Sequence, residues 1–294
     1  MSRPSERAAL VAMILATLLW GGTFVAIRDS VASLPPVTLV GVRFAIAAVL
    51  FALVLALRRR AIVPMDFWSG LGSGVFVVGG YYFQAEGLRT TAAGTSAFLT
   101  CAGTLLAAFF AWPLLKQRPT RLLTSGIVLA MAGSALMSLD GHGLRMGRGE
   151  ALTLVGAALY ALQVVFVSHV ARTADPLTLA FAQSITVAVV LLPFANGARE
   201  AFAQLDPAGW QRFAYLAVAG STIAPLLQLS AQRTLPAGRI ALLFALEPVF
   251  ALVFALTLGG ERFEPRWWWG ASLILSAVVL VEWRAAARVR PSTN

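Results

Sequence analysis

Residues 37–57 read VTLVGVRFAIAAVLFALVLAL and hold a single charge, Arg43. A helix needs about 20 mostly apolar residues to cross a hydrocarbon core of roughly 30 Å. This stretch is long enough, and Arg58, Arg59 and Arg60 stop it abruptly. Outward in both directions, runs of the same kind recur near 8–28, 67–88, 92–115, 121–139, 150–170, 176–197, 210–231, 238–258 and 266–283. Run length argues for helices, because barrel strands are about ten residues of alternating character. The first run is too long for a signal-peptide core and reads as a retained helix. The connections are short and leave no room for a soluble domain. The expected fold is an all-α integral membrane protein of ten transmembrane helices.

The composition points the same way. Of 294 residues, 59% are hydrophobic and 12% charged, whereas soluble proteins carry about 25% charged residues. That balance excludes a soluble enzyme, a disordered chain and a disulfide-stapled extracellular module. Lys and Arg number 23 against 13 Asp and Glu, a net charge of +10. These cations fall between apolar runs, as they do around membrane spans. Nucleic-acid binding needs them clustered on a hydrophilic face, so the bilayer is an expected partner and nucleic acid is not. Cys101 is the single cysteine, and His142 and His169 are the two histidines. A disulfide or a metal site is not expected from so few and such scattered residues. The chain lacks the zinc-protease, serine-hydrolase, P-loop and dinucleotide signatures. No cofactor and no catalysis are expected.

Loop cations set the orientation. With the N-terminus in the cytoplasm, the inner segments hold Arg3, Arg7, Arg58, Arg59, Arg60, Lys116, Arg118, Arg121, Arg172, Arg233, Arg239, Arg284, Arg288 and Arg290, which is 14. The outer segments hold Arg28, Arg89, Arg145, Arg148, Arg199, Arg212, Arg262 and Arg266, which is 8. Both termini are therefore expected inside. Trp68 and Trp283 fall at inner edges, and Trp210, Trp267, Trp268 and Trp269 at outer ones. Amphipathic rings rest at those levels.

The chain also repeats. Residues 89–139 lie on 233–283 at an offset of 144: Arg89-Thr90 on Arg233-Thr234, Ala93-Gly94 on Ala237-Gly238, Phe110-Ala111 on Phe254-Ala255, Gly126 on Gly270. Earlier matches run at an offset of 140: Trp20 on Tyr160, Pro36 on Pro176, Thr38-Leu39 on Thr178-Leu179. Two five-span units result, expected as domains 1–143 and 144–294. Five is odd, so the second unit must enter the membrane inverted. Inverted repeats are the architecture of many secondary transporters, with the substrate site near the midplane between them. Two near-equivalent halves can exchange conformations, and that exchange alternates access to a central cavity.

Glu247 lies near the middle of the ninth run. A charge at that depth costs roughly 2.5–3.5 kcal/mol on insertion scales. It points to proton exchange or to binding a substrate ammonium, with packing alone as the open alternative. Pro248 removes a helical hydrogen bond and frees carbonyls one turn back. Other polar and aromatic residues share faces at helical spacing. The eighth run has Ser221, Pro225, Gln228 and Gln232; the third has Tyr81 and Gln84, with Tyr82 beside them. The sixth has Tyr160 and Gln163, which match Trp20 and Thr23 in the first; the fourth has Thr100 and Thr104. An amide facing lipid has no partner, so these faces are expected to line a central cavity, with Phe98 and Phe244 completing its aromatic surface. Such a lining suits a small zwitterion with an apolar side chain. A phosphate ester asks for deep Lys or Arg, and no Lys lies inside any run. Arg43 reads as snorkelling outward or pairing with another helix, with substrate carboxylate binding as the alternative, and the second run is expected at the periphery. Gly70, Gly72, Gly74, Gly79 and Gly80 give the third run a face for close packing, including the GxxxG pair Gly70 and Gly74. Pro113, Pro193, Pro225 and Pro248 are candidate kinks.

Leu19-Trp20-Gly21-Gly22-Thr23-Phe24-Val25-Ala26-Ile27, with Leu34-Pro35-Pro36 and Val42-Arg43-Phe44, resembles the opening of EamA-type carriers of the drug/metabolite transporter superfamily. Leu246-Glu247-Pro248-Val249-Phe250, then Gly260-Glu261-Arg262 and Gly270-Ala271-Ser272-Leu273-Ile274-Leu275, resembles the end of their second repeat. The likeness covers nearly the whole chain. It implies a ten-helix carrier of the bacterial inner membrane, a monomer or weak homodimer, that exports amino acids (apolar or aromatic) or other small metabolites. A proton-coupled exporter of lipophilic cations is the alternative. The pattern carries its Glu-Pro in members with unlike substrates, which points to a shared structural or gating role. The chain departs from it at Thr104, where the first repeat usually has Pro, and at Lys116-Gln117, where it usually has Gly-Glu.

Overall fold

The computed structural model describes residues 3–59, 61–138, 146–258 and 264–289. Arg60, His142, Arg145, Arg290 and the Gly260-Glu261-Arg262 motif lie outside the described residues. The helices are α1 (Glu6–Ser30), α2 (Pro36–Leu57), α3 (Pro64–Gly87), α4 (Ala93–Leu105), α5 (Ala107–Leu115), α6 (Arg121–Ser138), α7 (Arg148–Val170) and α8 (Pro176–Leu191). There follow α9 (Ala198–Ala203), α10 (Pro207–Tyr215), α11 (Ala224–Ala231), α12 (Ala237–Phe244), α13 (Glu247–Thr257) and α14 (Pro265–Val289). A π-helical segment, Leu216–Ile223, joins α10 to α11. Helix α4 runs into α5, and α12 into α13, with a break of one or two residues.

Among the described residues, seven helical stretches are long and apolar enough to span a membrane: Glu6–Ser30, Pro36–Leu57, Ala93–Leu115, Arg148–Val170, Pro176–Phe194, Pro207–Ala231 and Ala237–Thr257. Helices α3, α6 and α14 stand at the three other expected positions. Helix α6 is a shorter apolar helix. Helix α3 is diluted by glycine, tyrosine, Asp66 and Glu86. The starts follow from local chemistry. Pro36, Pro64, Pro176, Pro207 and Pro265 each open a helix, where the missing N–H costs nothing. Asp175 caps α8 by accepting from the Thr178 N–H at 3.1 Å, and Asp206 caps α10 through Gly209 at 2.6 Å.

The principal packing pairs join the two halves of the chain. Helix α3 packs on α7, and α1 on α11; α4 packs on α7, and α1 on α13; α2 packs on α8, and α6 on α14. With α4–α5 and α12–α13 each taken as one broken span, and α10–α11 as another, exchanging each span for its counterpart at the repeat offset returns the same set of pairs, so the packing is two-fold. The glycines of α3 divide between two partners. A Cβ at Gly70 or Gly74 would strike Ala182 or Thr186 of α8, whereas one at Gly80 would strike Tyr160 of α7. One face of the second run is buried and the other exposed: Arg43, Phe44 and Phe51 of α2 are fully or almost fully buried, whereas Val49, Leu53 and Leu57 are exposed. Trp68, Trp210, Trp268, Trp269 and Trp283 are exposed, as interfacial rings should be, but Trp267 is buried in the core.

One end of the bundle is laced by charge. Arg239 of α12 donates to Glu6 of α1 and, in a bidentate grip, to both carboxylate oxygens of Glu282 of α14. Thr234 donates to the Pro4 carbonyl at 2.9 Å, and Arg3 to the Arg172 carbonyl at 3.2 Å. The Arg239 side chain is 16% exposed and Glu282 10%. Removing one partner of such a group leaves uncompensated buried charge. Arg239→Ala is expected to cost roughly 3 kcal/mol, read as a lowered thermal midpoint in detergent, with Arg239→Lys falling between it and the parent.

Candidate functional site

Two local departures from the α-helix build the site. In the π segment the Ala224 N–H reaches back five residues to the Ala219 carbonyl, and Pro225 has no N–H to give. The Gly220 carbonyl is thus left without a helical donor. It accepts from Trp20 Nε1–H at 3.0 Å, and the Tyr81 hydroxyl stands 3.5 Å from it. The Trp20 Nε1–H also reaches the Tyr81 oxygen at 3.1 Å. The second departure is the gap between α12 and α13. The Ala245 and Leu246 N–H groups fold back only three residues, to Leu242 and Leu243 at 3.0 and 3.1 Å. Pro248 again withholds a donor, and α13 starts afresh at Glu247. Broken helices whose ends meet near the middle of the bundle are a common basis for transporter sites.

These features surround an internal cavity of about 50 Å³, room for a water or two. From α1 it is lined by Trp20, Thr23 and Phe24; from α3 by Val77, Tyr81 and Gln84; from α4 by Thr100 and Thr104. Helix α7 adds Tyr160, Gln163 and Val164; α11 adds Pro225 and Gln228; Phe244 and Glu247 close it from the α12–α13 break. Trp20 stacks on Phe244 with centroids 5.5 Å apart, and Tyr81 meets Tyr160 edge-on at 5.3 Å. The amides are tied in sequence. Tyr160 donates to Gln84 Oε1 at 3.2 Å and Gln84 Nε2 to Thr100 at 3.4 Å. Gln228 Nε2 bridges Gln163 Oε1 at 3.1 Å and Gln232 Oε1 at 3.0 Å. Glu247 is the exception. It is buried, it faces the cavity, and it makes no hydrogen bond or ion pair with any described residue.

Of the residues expected at the site, Tyr82, Phe98, Ser221 and Gln232 do not line this cavity. Tyr82 follows Tyr81 and points a helical quarter-turn aside. Phe98 is two residues from Thr100, which turns it to the far side of α4. Gln232 lies one turn beyond Gln228 and anchors it, donating to the Val164 carbonyl at 2.9 Å and to Ser168 at 3.0 Å. Ser221 is buried beside Gly220. Thr23 and Thr104 line the cavity but give their hydroxyl protons to Trp20 and Cys101 carbonyls of their own helices, at 2.7 and 2.9 Å. Sequence reasoning missed Phe24, Phe44 of α2, and Gln183 and Ser184 of α8. The polar pair Gln183-Ser184 inside an apolar run was the available signal. Gln183 reaches Ser73 of α3 at 2.7 Å.

Wider recesses stand at either end. One, of about 280 Å³, lies where α1 finishes and α4 begins, and Phe24 lines both it and the central cavity. Another, of about 390 Å³, lies beside Glu6 and Arg239 and shares no lining residue with the cavity.

Comparison with known proteins decides the family. The model of the EamA-like transporter family matches residues 7–139 and again 147–283. The chain belongs to the EamA-like transporter family. It is therefore an integral membrane protein and a transporter. Among EamA-related proteins, an uncharacterized transporter of Archaeoglobus fulgidus is 29% identical over 273 residues, 92% of this chain and 85% of that one. The uncharacterized inner membrane transporter YedA of Escherichia coli K12 is 26% identical over 276 residues, covering 90% and 87%. A solved crystal structure superposes with a TM-score of 0.76 over 98% of this EamA chain and all of its own, at 17% identity. That likeness extends to the fold.

Proposed function

We propose that this carrier exports small metabolites, namely amino acids with apolar or aromatic side chains, across a bacterial inner membrane. The observation that carries the reading is the unpartnered Glu247 carboxyl in a cavity otherwise walled by aromatic rings and tied amides. A substrate ammonium satisfies that carboxyl, and Trp20, Tyr81, Tyr160 and Phe244 cover an apolar side chain. In this reading the ten helical stretches all cross the bilayer with both termini in the cytoplasm, and the halves are inverted copies. The two-fold packing supports that arrangement. The present cavity is too small for a substrate, so its walls must part. Phe24 stands between it and the recess at the expected outer end, and the Arg239 cluster closes the expected inner end. Rocking of the halves opens each in turn. Lone carboxyls among aromatic rings also suit lipophilic cations, which favours proton-coupled drug efflux as the second reading.

Uptake into proteoliposomes separates the two. Labelled leucine and phenylalanine are expected to enter saturably and to compete with unlabelled substrate, and a pH gradient shows whether protons are coupled. Uptake of tetraphenylphosphonium with no amino acid entry selects the second reading.

A further inference from the structure

Arg43 is fully buried on the second turn of α2. None of its three guanidinium nitrogens makes a hydrogen bond of good geometry, the Tyr81 side chain is the polar group that interacts with it, and no carboxylate pairs with it among the described residues. Its neighbours are rings: its guanidinium carbon lies 4.7 Å from the Tyr81 centroid and 5.5 Å from that of Phe44. Ring faces attract a cation, but they replace only part of the water and none of the hydrogen bonds that burial removes. A guanidinium left this way is a fork of donors awaiting an anion. Tyr81 and Phe44 also line the cavity, so the charge sits directly behind its wall.

Glu247 belongs to the other half of the chain and is also buried without a partner. The rings that pack on the Arg43 guanidinium, Tyr81 and Phe44, line the same cavity as Glu247. The cavity is thus flanked by one fixed cation and one acid that do not pair with each other. Direct pairing is the simplest way to lower the cost of two buried charges. Keeping them apart across a cavity matches a ligand that carries both opposite charges itself.

We propose that Arg43 is the carboxylate anchor of the substrate site. The substrate is then an α-amino acid bound as a zwitterion: its carboxylate takes the planar guanidinium fork, its ammonium faces Glu247, and the Tyr81 ring turns aside to admit it. The fork geometry matches a carboxylate in a way that a lysine ammonium does not. This inference rests on the cavity being the transport site. It also sets the two readings of function apart, since a buried guanidinium beside the cavity repels a lipophilic cation.

The test uses the full-length protein in liposomes with labelled phenylalanine as the probe. Unlabelled phenylalanine, phenylalaninamide and phenethylamine serve as competitors; the last two keep the amine and the ring and lack the carboxylate. In the parent protein both are expected to compete at least about 30-fold more weakly than phenylalanine, the scale of a lost charge-assisted hydrogen bond. Arg43→Gln is expected to raise the KM for phenylalanine by a similar factor and to abolish the discrimination. Arg43→Lys is expected to keep the discrimination with a KM raised severalfold. If Arg43→Gln does not fold, the competitor series in the parent and the Lys variant decide. Equal competition by the amide and the amine, with phenylalanine uptake intact, overturns the anchor and leaves the amino acid reading standing. A folded Arg43→Gln protein with parental KM and discrimination also overturns it. Saturable tetraphenylphosphonium uptake with no phenylalanine uptake overturns the anchor together with the reading on which it rests.

Discussion

Proteoliposomes carrying Glu247→Gln are expected to lose amino acid uptake by about 100-fold in kcat/KM while the protein remains folded. A charge-assisted hydrogen bond contributes about 1.5–3 kcal/mol, and each 1.36 kcal/mol is tenfold, so loss of the carboxylate lands near that factor. Stability should move in the opposite direction or not at all. Glu247 makes no hydrogen bond within the described residues, so glutamine breaks none. The variant also no longer bears the roughly 2.5–3.5 kcal/mol that an ionised group costs at that depth. Thermal unfolding and uptake on the same preparation separate binding from packing. Full uptake with unchanged pH dependence in Glu247→Gln would reduce the residue to packing and remove any proton role. Equal loss of stability and uptake would place its importance in the α12–α13 break instead.

The sequence made most of the helices legible, because a run such as 37–57 leaves a chain in lipid little choice. It was less informative about which face of each helix points where. Gln84, Gln163 and Gln228 were expected to face inward, since an amide in hydrocarbon lacks partners, and all three line the cavity. Phe98 shows the limit of that logic. An aromatic ring is content in lipid, in protein or at the boundary, so only helical phase relative to Thr100 could have excluded it. Arg43 shows the converse. A single arginine in an apolar run looks like a snorkelling residue at the edge of the bundle, yet it is fully buried. Its location depends on α2 packing against α8 and the π segment, a long-range contact with no local signature. Pro225 was visible as a candidate kink. The freed Gly220 carbonyl was not, because it arises from proline combined with a one-residue change of hydrogen-bond register. Pro248 and Glu247 were legible because the break and its charge are adjacent in sequence.

Gly156→Leu is expected to be the most destabilising of the substitutions considered, at about 3 kcal/mol or more. A Cβ at Gly156 of α7 would stand 2.9 Å from the Gly80 carbonyl oxygen and 3.2 Å from the Gln84 nitrogen of α3. One helical seam further on, a Cβ at Gly87 would meet the Gly149 carbonyl oxygen at 2.8 Å, and a Cβ at Gly149 the Gly87 carbonyl oxygen at 2.8 Å. The two helices therefore touch backbone to backbone, with glycines seven apart on each, and a helical backbone cannot rotate out of the way as a side chain can. Overpacking a core costs about 1–3 kcal/mol when neighbours can adjust; here the helices must separate. Gly94→Ala is the control, since its Cβ meets nothing within 4 Å, and the exchange should be neutral or slightly stabilising through helix propensity. Gly156→Ala should fall between the two and bears on function. Even a small separation of α3 from α7 lengthens the 3.2 Å bond from Tyr160 to Gln84, and with it the wall of the cavity that joins the two halves. Tryptophan fluorescence on heating would rank the three variants. Gly156→Leu unfolding at the same temperature as Gly94→Ala would mean that the crossing is looser than its glycines suggest. If Gly156→Ala keeps its fold but loses uptake, the close seam serves the movement of the halves, because surfaces without side chains can slide where interlocked ones must first disengage.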